Sequence, residues 1–333
     1  MLVSRVSVDL RPPPSTAKLK CYMVLGKARL GAMVVLTTAL GYAVAAKAVL
    51  GFDWRVLGWT CVGTFLAAAG ASALNQAWEV LRDAKMARTQ RRPVPTGEIS
   101  RTHALMVGGG ASLAGVMILW QAANGLVAIL GVVNIVLYVL VYTPMKPVST
   151  GNTLVGAVVG GIPPLMGWAA ATGEGGGLAA GAWVLGAILS VWQIPHFLAL
   201  AWMYRHDYAK AGFKMISVVE PTGRLTTLLA LLYSVALIPV AAAMSMTGHA
   251  GWPFTLAATV LGTGLACLAL RFAATRAYAD ARRLFLATLV YLPLLSMALV
   301  LDSRGPYDRM LRGEAGYSSR PPPEEVFVDS AEE

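Results

Sequence analysis

Long apolar runs recur along almost the whole of this sequence. Nine of them approach the roughly 20 residues that an α-helix needs to cross the hydrocarbon core of a bilayer. They fall near residues 28–50, 56–78, 103–122, 124–142, 153–172, 180–203, 225–245, 252–273 and 283–301. Backbone polar groups in lipid must be paired within their own segment, so such runs form helices. The sequence therefore predicts an all-α polytopic membrane protein, with nine transmembrane helices bundled around a central cavity.

The composition excludes several other classes of protein. Of the 333 residues, 56% are hydrophobic and only 13% are charged, which lies far outside the range of soluble domains. The three cysteines stand apart with no CxxC spacing, which argues against a disulfide framework, a zinc site or an iron–sulfur cluster. The net charge of +10 comes from short loops between the apolar runs, so we expect no nucleic-acid partner.

The distribution of Lys and Arg predicts the orientation of the helices. Most of the loop bases fall in alternate loops, near residues 79–102, 143–152, 204–224 and 272–283. The loops on the other side contain Arg55 as their only base. Because basic loops stay in the cytoplasm, the sequence predicts a cytoplasmic N terminus and a C terminus on the opposite side, an N-in/C-out topology.

This topology divides the chain into three parts. Residues 1–26 are predicted to form a cytoplasmic N-terminal tail, residues 27–301 the nine-helix domain, and residues 302–333 a disordered C-terminal tail. The first residues include Asp9 and show little amphipathic pattern, which is unlike a transit peptide. We therefore expect a bacterial inner membrane, with the basic loops in the cytoplasm, in preference to the mitochondrial inner membrane.

Three polar residues form a stripe at the end of the second predicted span. Asn75, Glu79 and Asp83 recur every fourth residue, so they share one face of a helix. Charges are costly at this depth unless they have a function. Oxygen ligands in a row suit Mg2+, which takes one or two carboxylates from a protein and completes its shell with water and phosphate. The stripe therefore predicts a magnesium site.

Bases and a further acid lie in loops on the same predicted side. They are Arg82, Lys85, Arg88 and Arg92 after the stripe, Lys146 after the fourth span, and Arg205 with Asp207 after the sixth span. Guanidinium and ammonium groups are the usual partners of phosphate oxygens. In the fifth span, glycines before Pro163 and Pro164 indicate either close helix packing or a broken helix. Together these features predict a metal–diphosphate site above an apolar cavity for a hydrocarbon tail.

Several of these residues also have a simpler explanation. The two acids of the stripe could be neutralised by Arg82 and Lys85, as ordinary pairs on a helix surface. Asp207 is equally consistent with a helix cap. Lys146 fits a charged anchor that reaches from the span to the membrane surface. His196, deep in the sixth span beside a proline, either packs there or lines a cavity.

Five motifs follow one another along the chain. They are Asn75 to Pro93, Tyr142-Thr-Pro-Met-Lys146 followed by Asn152, Gly161-Ile-Pro-Pro-Leu-Met-Gly-Trp168, Trp192-Gln-Ile-Pro-His-Phe197 and Asp207-Tyr-Ala-Lys-Ala-Gly212. Together they resemble the intramembrane aromatic prenyltransferases of the UbiA superfamily, over residues 27–301. The last two motifs resemble one branch of it, the protoheme IX farnesyltransferase or heme o synthase family.

The resemblance implies transfer of the farnesyl group from farnesyl diphosphate to a vinyl group of heme b, with water completing heme o. It implies Mg2+ as the cofactor, with Asn75, Glu79, Asp83 and Asp207 as ligands and Lys146 beside them in catalysis. Substrate-binding positions carried over from the motifs are Arg82, Lys85, Arg88, Arg92, Tyr142, Asn152, His196 and Arg205. His196 is expected to position heme. The implied partners are the lipid bilayer and a heme a synthase that would use heme o.

The chain departs from the family pattern at three places. Glu79 and Leu81 stand where many bacterial members have aspartates, and Asp207 is a single acid where the superfamily often has two. These differences leave the number of metal ions open. The start of the domain also lacks a proline between Lys27 and Arg29.

Three other functions remain possible from the sequence. A related enzyme that prenylates a quinone precursor or another tetrapyrrole would share the acidic stripe. A polytopic transporter would also contain buried acids, but transporters tend to have repeated halves and polar midplanes, which this sequence does not display. A structural heme-binding subunit would usually offer paired histidines on its spans, whereas only His196 lies deep in a predicted helix.

Overall fold

The computed structural model describes residues 15–49 and 51–305, and every regular element within them is helical. Nine helical segments there are long and apolar enough to cross a membrane. These are α2 (Ala28–Val49), α3 (Trp54–Asp83), α4 (Arg101–Ala122), the segment Gly125–Met145, α7 (Asn152–Thr172), α8 (Ala180–Met203), α11 (Arg224–Met246), α12 (Trp252–Thr275) and α13 (Tyr278–Asp302). The prediction of an all-α polytopic membrane protein with nine spans is confirmed.

Shorter helices complete the described chain. The segment Gly125–Met145 combines α5 (Gly125–Val136), a π-helical turn (Leu137–Tyr142) and α6 (Thr143–Met145), and the other short helices are α1 (Ser15–Leu25), α9 (Arg205–Lys210) and α10 (Ile216–Val219). Consecutive spans pack side by side, and α2 packs against both α3 and α7. The last span, α13, packs against α8 and α12 and touches α2.

Polar side chains start several of the spans. The Asp53 carboxylate accepts hydrogen bonds from the first backbone N–H groups of α3. Ser100 and Asn124 do the same for α4 and α5. These caps satisfy donors that a helix leaves unpaired at its N terminus. They therefore fix where each span begins near the membrane surface.

Glycines allow α7 to lie very close to its neighbours. A Cβ atom added at Gly167 would lie 1.8 Å from the backbone oxygen of Thr38 in α2, and one at Gly161 would lie 2.2 Å from Ser190 Oγ in α8. The helix runs unbroken through Pro163 and Pro164. Of the two interpretations of the fifth span, the structure therefore supports close backbone packing and not a broken helix.

The irregular helix lies instead in the fourth span. The sequence predicts that the fourth span ends near residue 142, but the helix continues through Pro144 to Met145. A π-helical turn precedes the proline, and such a turn changes the register in which carbonyl groups find donors. The backbone N–H and the hydroxyl of Thr143 both donate to the backbone oxygen of Tyr138, the hydroxyl at 2.8 Å.

The predicted tails are only partly within the described residues. Residues 1–14 and 306–333 lie outside them. Within the predicted N-terminal tail the chain forms α1, whose Cys21 thiol donates to Glu98 at 2.9 Å, and the division into three parts stays a prediction. The apolar side chains of α1 do not line one face, which is why the sequence pattern gave no sign of this helix.

The basic loops meet at one end of the bundle. The N terminus of α2 contacts the C terminus of α3 through Lys27 and Asn75, and the loop after α8 contacts the loop after α6 through a hydrogen bond from Lys214 N to Lys146 O of 2.8 Å. This arrangement agrees with the alternation of loops expected for nine spans. Which side of a membrane this end faces stays a prediction.

Candidate functional site

Asn75, Glu79 and Asp83 face the interior of the bundle at the C-terminal end of α3. Their exposed fractions are 0%, 4% and 1%, whereas Leu81 on the other side of the helix is 78% exposed. The spacing of four residues predicts this shared face, and charges inside an apolar bundle need partners. The stripe is therefore a buried polar site and not a lipid-facing surface.

Two bases from other segments neutralise the acids of the stripe. The Lys146 ammonium group donates to both carboxylate oxygens of Glu79, at 2.9 and 3.2 Å. The Arg92 guanidinium donates to Asp83 Oδ2 at 2.6 Å. Among the described residues, the two acids therefore pair with Lys146 and Arg92. They do not pair with Arg82 or Lys85, the nearer bases in the sequence. Because both pairs are buried, replacing one partner would leave an unpaired charge inside the bundle and destabilise the fold.

Asp83 retains one carboxylate oxygen for a further ligand. Its Oδ1 atom is buried and has no hydrogen-bond partner among the residues that the structure describes. Its backbone oxygen accepts from Thr89 Oγ1 at 2.8 Å, which fastens the following loop to the end of α3. An unpaired buried oxygen is costly unless a ligand satisfies it, and Mg2+ prefers oxygen ligands. The Asp83 side chain therefore fits a divalent cation.

The other predicted ligands are engaged differently. Both oxygens of Glu79 accept from Lys146, and Oδ1 of Asn75 accepts from Lys27 at 2.8 Å. Asp207 lies half-buried in the first turn of α9. The described part of the chain contains no group of three or more His, Cys, Asp or Glu side chains that could hold a metal ion. The complete ligand set stays a prediction.

Lys146 occupies an aromatic pocket just beyond the fourth span. Its ammonium nitrogen lies 4.5 Å from the ring centre of Tyr142 and 5.8 Å from that of Phe213. Burial lowers the pKa of Lys146, but Tyr142 and Glu79 outweigh it, so the pKa of the ammonium group is raised above its usual value. Lys146 is therefore a fixed cation at neutral pH. Its burial distinguishes it from an anchor that reaches out to water.

A second lysine reaches the stripe from the turn between α1 and α2. The Lys27 ammonium group donates to Asn75 Oδ1 at 2.8 Å and to the Tyr138 hydroxyl at 3.0 Å. The Asn75 amide nitrogen donates to Thr143 Oγ1 at 3.0 Å. The π-helical turn stacks the rings of Tyr138 and Tyr142, with their centres 5.6 Å apart. Because π turns often mark functional sites, this turn supports the assignment of the polar cluster as the site.

The loop after α3 packs against the loop after α8. The Arg88 guanidinium carbon lies 5.2 Å from the ring centre of Tyr204 and 5.9 Å from that of Tyr208, and the guanidinium donates to the Tyr208 hydroxyl at 3.3 Å. Met86 is buried in the same cluster. Asp207 directly precedes Tyr208, so the loop with the third predicted acid borders the loop that follows the stripe.

Asn152 joins the loops after α6 and α8. Its amide nitrogen donates to the backbone oxygen of Lys214 at 3.2 Å, beside the backbone hydrogen bond from Lys214 N to Lys146 O. Asn152 is 1% exposed, so this contact is shielded from solvent. Asn152 therefore helps to hold the loop that contains Lys146 against the loop after α8.

Three predicted substrate-binding bases form no ion pair with the acids of the stripe within the described residues. Arg205 donates to the backbone oxygen of Trp202 at 3.0 Å and lies 4.4 Å from a ring centre of Trp202, which satisfies the end of α8. Lys85 is exposed and Arg82 is half-buried in the last turn of α3. The structure therefore does not bring these bases onto the stripe, and their predicted roles stay predictions.

His196 packs between α8 and α13. Its Nδ1 atom lies 2.8 Å from Thr288 Oγ1, and its ring stacks on those of Trp192 and Phe285 with centres 5.4 and 4.7 Å apart. These contacts account for the histidine as a packing residue. Its role in positioning heme stays a prediction.

Sequence reasoning missed several residues of the cluster. Tyr138 precedes Tyr142 by one helical turn, and Gln76 is a second buried amide next to Asn75, so both had a local signal. Lys27 had none that links it to α3, because its partners are 48 and 111 residues away in the sequence. Only the folded chain brings it to the stripe.

Known proteins resemble the chain over most of its length. A family model described as the UbiA prenyltransferase family matches residues 34–290. The mitochondrial protoheme IX farnesyltransferase of Homo sapiens is 42% identical over 299 residues, which cover 90% of this chain and 64% of that protein. The protoheme IX farnesyltransferase of Solibacter usitatus is 39% identical over 291 residues, which cover 85% of this chain and 99% of that protein.

The mitochondrial relatives are longer than this chain. The protein of the same name from Arabidopsis thaliana is 41% identical over 283 residues, which cover 85% of this chain and, as for the human protein, only 64% of the relative. The chain therefore spans less than two thirds of the length of these two relatives, and nearly the whole length of the bacterial one.

Solved structures share the fold. A structure of digeranylgeranylglyceryl phosphate synthase has a TM-score of 0.71 at 14% identity, over 86% of this chain and 98% of that one. A UbiA homologue from Archaeoglobus fulgidus bound to GPP and Mg2+ has a TM-score of 0.55 at 11% identity, over 84% of this chain and 99% of that one. At these identities the resemblance establishes the architecture of the nine-helix bundle.

Proposed function

The chain belongs to the UbiA prenyltransferase family, and we propose that it is a protoheme IX farnesyltransferase, or heme o synthase. The proposed reaction transfers the farnesyl group of farnesyl diphosphate to a vinyl group of heme b, with Mg2+ as cofactor. Relatives that bear this name at 42% and 39% identity support this pair of substrates.

One observation carries the proposal: a buried carboxylate oxygen of Asp83 has no protein partner in the described chain, and it lies in a cluster of fixed bases. Lys146 and Arg92 contact the two acids of the stripe. A diphosphate group needs both a divalent cation and such bases. The homologue bound to GPP and Mg2+ supports the same combination for this chain.

The residues support heterolysis of farnesyl diphosphate. The bond between C1 and the diphosphate oxygen breaks, and its electron pair leaves with the diphosphate. Lys146 and Arg92, already held in place as cations, stabilise the negative charge where it develops. Mg2+, when bound, supplies further neutralisation of that charge. The apolar helices below the stripe exclude water from the allylic carbon until it reacts.

The heme substrate completes the reaction. An electron pair of the vinyl group forms the new carbon–carbon bond to C1 of the farnesyl group, which leaves a cation on the former vinyl carbon next to the porphyrin. Water adds there and releases a proton, so the product carries a hydroxyl group. His196 and its neighbours in α8 are proposed to orient the porphyrin.

We assign Asn75, Glu79 and Asp83 to Mg2+, and Asp207 to a second ion or to orientation of the first. Asp83 Oδ1 is available directly. The oxygens of Asn75 and Glu79 each accept from a lysine and keep a lone pair for a metal ion. Diphosphate contacts are assigned to Arg88, Arg92 and Lys146, with weaker contributions from Arg82 and Lys85.

The proposed setting is a bacterial inner membrane with the site facing the cytoplasm. The basic loops at the site end support this orientation through the positive-inside rule. Relatives from bacteria and from mitochondria both match the chain, and the bacterial membrane is the setting we propose. The hydroxylated product would pass to a heme a synthase, which is the partner we propose.

A reconstituted assay tests the proposed function. The protein in lipid vesicles is incubated with heme b, farnesyl diphosphate and Mg2+, and the porphyrins are analysed by mass spectrometry. We expect a porphyrin enlarged by one farnesyl group and one hydroxyl group. A product formed with a quinone precursor but not with heme b would assign the chain to another branch of the family.

Replacing His196 with alanine is expected to weaken heme b binding by about tenfold, and farnesyl diphosphate binding by less than about twofold. The imidazole is the only histidine ring deep in a described span, whereas the diphosphate cluster lies at the end of α3. Optical titration with heme b and equilibrium binding of farnesyl diphosphate measure the two effects. Thr288→Val is the matched control, because it removes the hydrogen bond and keeps the ring. An equal loss of affinity for heme b and for farnesyl diphosphate would show that His196 only packs in the bundle.

A further inference from the structure

Lys27 holds an oxygen atom that the proposed magnesium site needs. Its ammonium group donates to Asn75 Oδ1 at 2.8 Å, while the Asn75 amide nitrogen is already used by Thr143. The Asn75 oxygen has a second lone pair, but an ammonium group 2.8 Å from this oxygen would lie close to a metal ion bound to the same oxygen. Like charges this close in a buried site repel each other. Ammonium and metal are therefore competitors for Asn75.

We infer that Lys27 is a diphosphate-binding residue that exchanges partners: it holds Asn75 until Mg2+ and diphosphate arrive, and then moves its charge to the diphosphate. This inference rests on the proposed function of the stripe. It adds a residue to the site, and it makes the occupation of Asn75 by metal depend on the presence of diphosphate.

The turn that carries Lys27 is built to aim it at α3. Gln76 Nε2 donates to the backbone oxygens of Val24 and Leu25, at 2.9 and 2.8 Å, and ties the end of α1 to α3. Gly26 packs against the same helix, where an added Cβ atom would lie 3.2 Å from Ala69 Cβ. The backbone on the N-terminal side of Lys27 is therefore fixed relative to the stripe.

The backbone conformation of Lys27 supports a functional position. Its φ angle is +48°, in the left-handed region that residues other than glycine rarely adopt. Gly26 stands next to it and would adopt such an angle at lower cost, so a simple turn did not require lysine to do so. Strained positions of this kind concentrate at functional sites. From this position the Lys27 ammonium group donates to Asn75 and Tyr138.

Lys27 also has room for exchange. Its side chain is only half-buried, whereas Asn75 is fully buried. The ammonium group lies 5.7 Å from the ring centre of Tyr138, whose face stabilises a cation in more than one position. A cation near a metal site weakens metal binding by repulsion, but it strengthens the binding of diphosphate, which is negatively charged. The same residue therefore has effects of opposite sign on the two ligands.

The test compares two equilibria in the purified full chain, with Mn2+ as the metal probe. Free Mn2+ is measured by electron paramagnetic resonance without diphosphate, and binding of inorganic pyrophosphate is measured at excess Mn2+. For Lys27→Met we expect Mn2+ affinity without pyrophosphate to rise about threefold to tenfold, and pyrophosphate affinity to fall about tenfold. The control Lys20→Met, an exposed lysine on α1, should leave both unchanged.

Lys27→Gln guards against a folding defect, because its amide keeps a donor for Asn75 and lacks the charge. It should shift pyrophosphate binding in the same direction as Lys27→Met. Unchanged affinities in both variants, or a loss of affinity for both ligands, would overturn the exchange of partners while wild-type binding still supports the proposed function. Failure of the wild-type chain to bind pyrophosphate with Mn2+ would overturn the proposed function and this inference together.

Discussion

Replacing Asp83 with asparagine is expected to lower farnesyl transfer by at least about 10²–10³-fold, the cost of removing one electrostatic group that acts on the transition state. The substitution keeps the size of the side chain and an oxygen acceptor for Arg92. It removes the negative charge that attracts a divalent cation to the unpaired Oδ1 atom. Product formation in vesicles, measured by mass spectrometry at saturating Mg2+, gives the rate.

Asp280→Asn is the matched control for this variant. Asp280 is also a buried aspartate with arginine partners, but it joins α13 to α12 through Arg271 and pairs with Arg283 on its own helix. We expect it to retain the wild-type rate. Thermal unfolding in detergent separates a loss of fold from a loss of chemistry. Full activity of Asp83→Asn with Mg2+ present would show that the stripe does not bind the metal.

Replacing Lys146 with methionine is expected to reduce activity by roughly 10²-fold or more and to destabilise the fold by about 3–5 kcal/mol. The variant leaves the Glu79 carboxylate inside the bundle without its cation, where both oxygens had been paired. It also removes a fixed positive charge from the proposed diphosphate site. Thermal or denaturant unfolding and the transfer assay measure the two losses separately.

The double variant Lys146→Met with Glu79→Gln separates the two roles. Removing both charges relieves the unpaired carboxylate, so we expect most of the lost stability to return. Activity should stay low, because neither the metal ligand nor the diphosphate base is restored. Lys210→Met, an exposed lysine on α9, is the control and should change neither quantity. Recovery of activity in the double variant would mean that the pair only holds the helices together.

The sequence predicts the spans well, because a helix in lipid must be apolar over its whole length and must satisfy its own backbone. The stripe of Asn75, Glu79 and Asp83 is equally predictable, since a spacing of four residues places side chains on one helix face. The inward orientation of that face follows from the cost of charge in lipid. These features depend on local sequence and on the solvent alone.

The partners of the stripe depend on packing between distant segments. Lys146 pairs with Glu79 across 67 residues, and no local pattern selects it over the nearer Arg82 and Lys85. The contact of Lys27 with Asn75 also requires the turn after α1, which the apolar pattern does not indicate. The fourth span ends later than predicted, because the helix continues through Pro144 after a π-helical turn. The same turn contains Tyr138, which accepts a hydrogen bond from Lys27 at the site. Sequence reasoning therefore finds the acids of the site more readily than the bases that neutralise them.

The most direct test is the effect of Mg2+ on binding of a slowly reacting farnesyl thiodiphosphate, measured by isothermal titration without heme. For the wild-type chain, we expect Mg2+ to tighten binding at least about tenfold relative to excess EDTA. Asp83→Asn should remove this gain and keep the weaker metal-independent binding. Equal affinity of the wild-type chain with Mg2+ and with EDTA, or a full gain in Asp83→Asn, would contradict docking of a magnesium diphosphate on the carboxylates of α3.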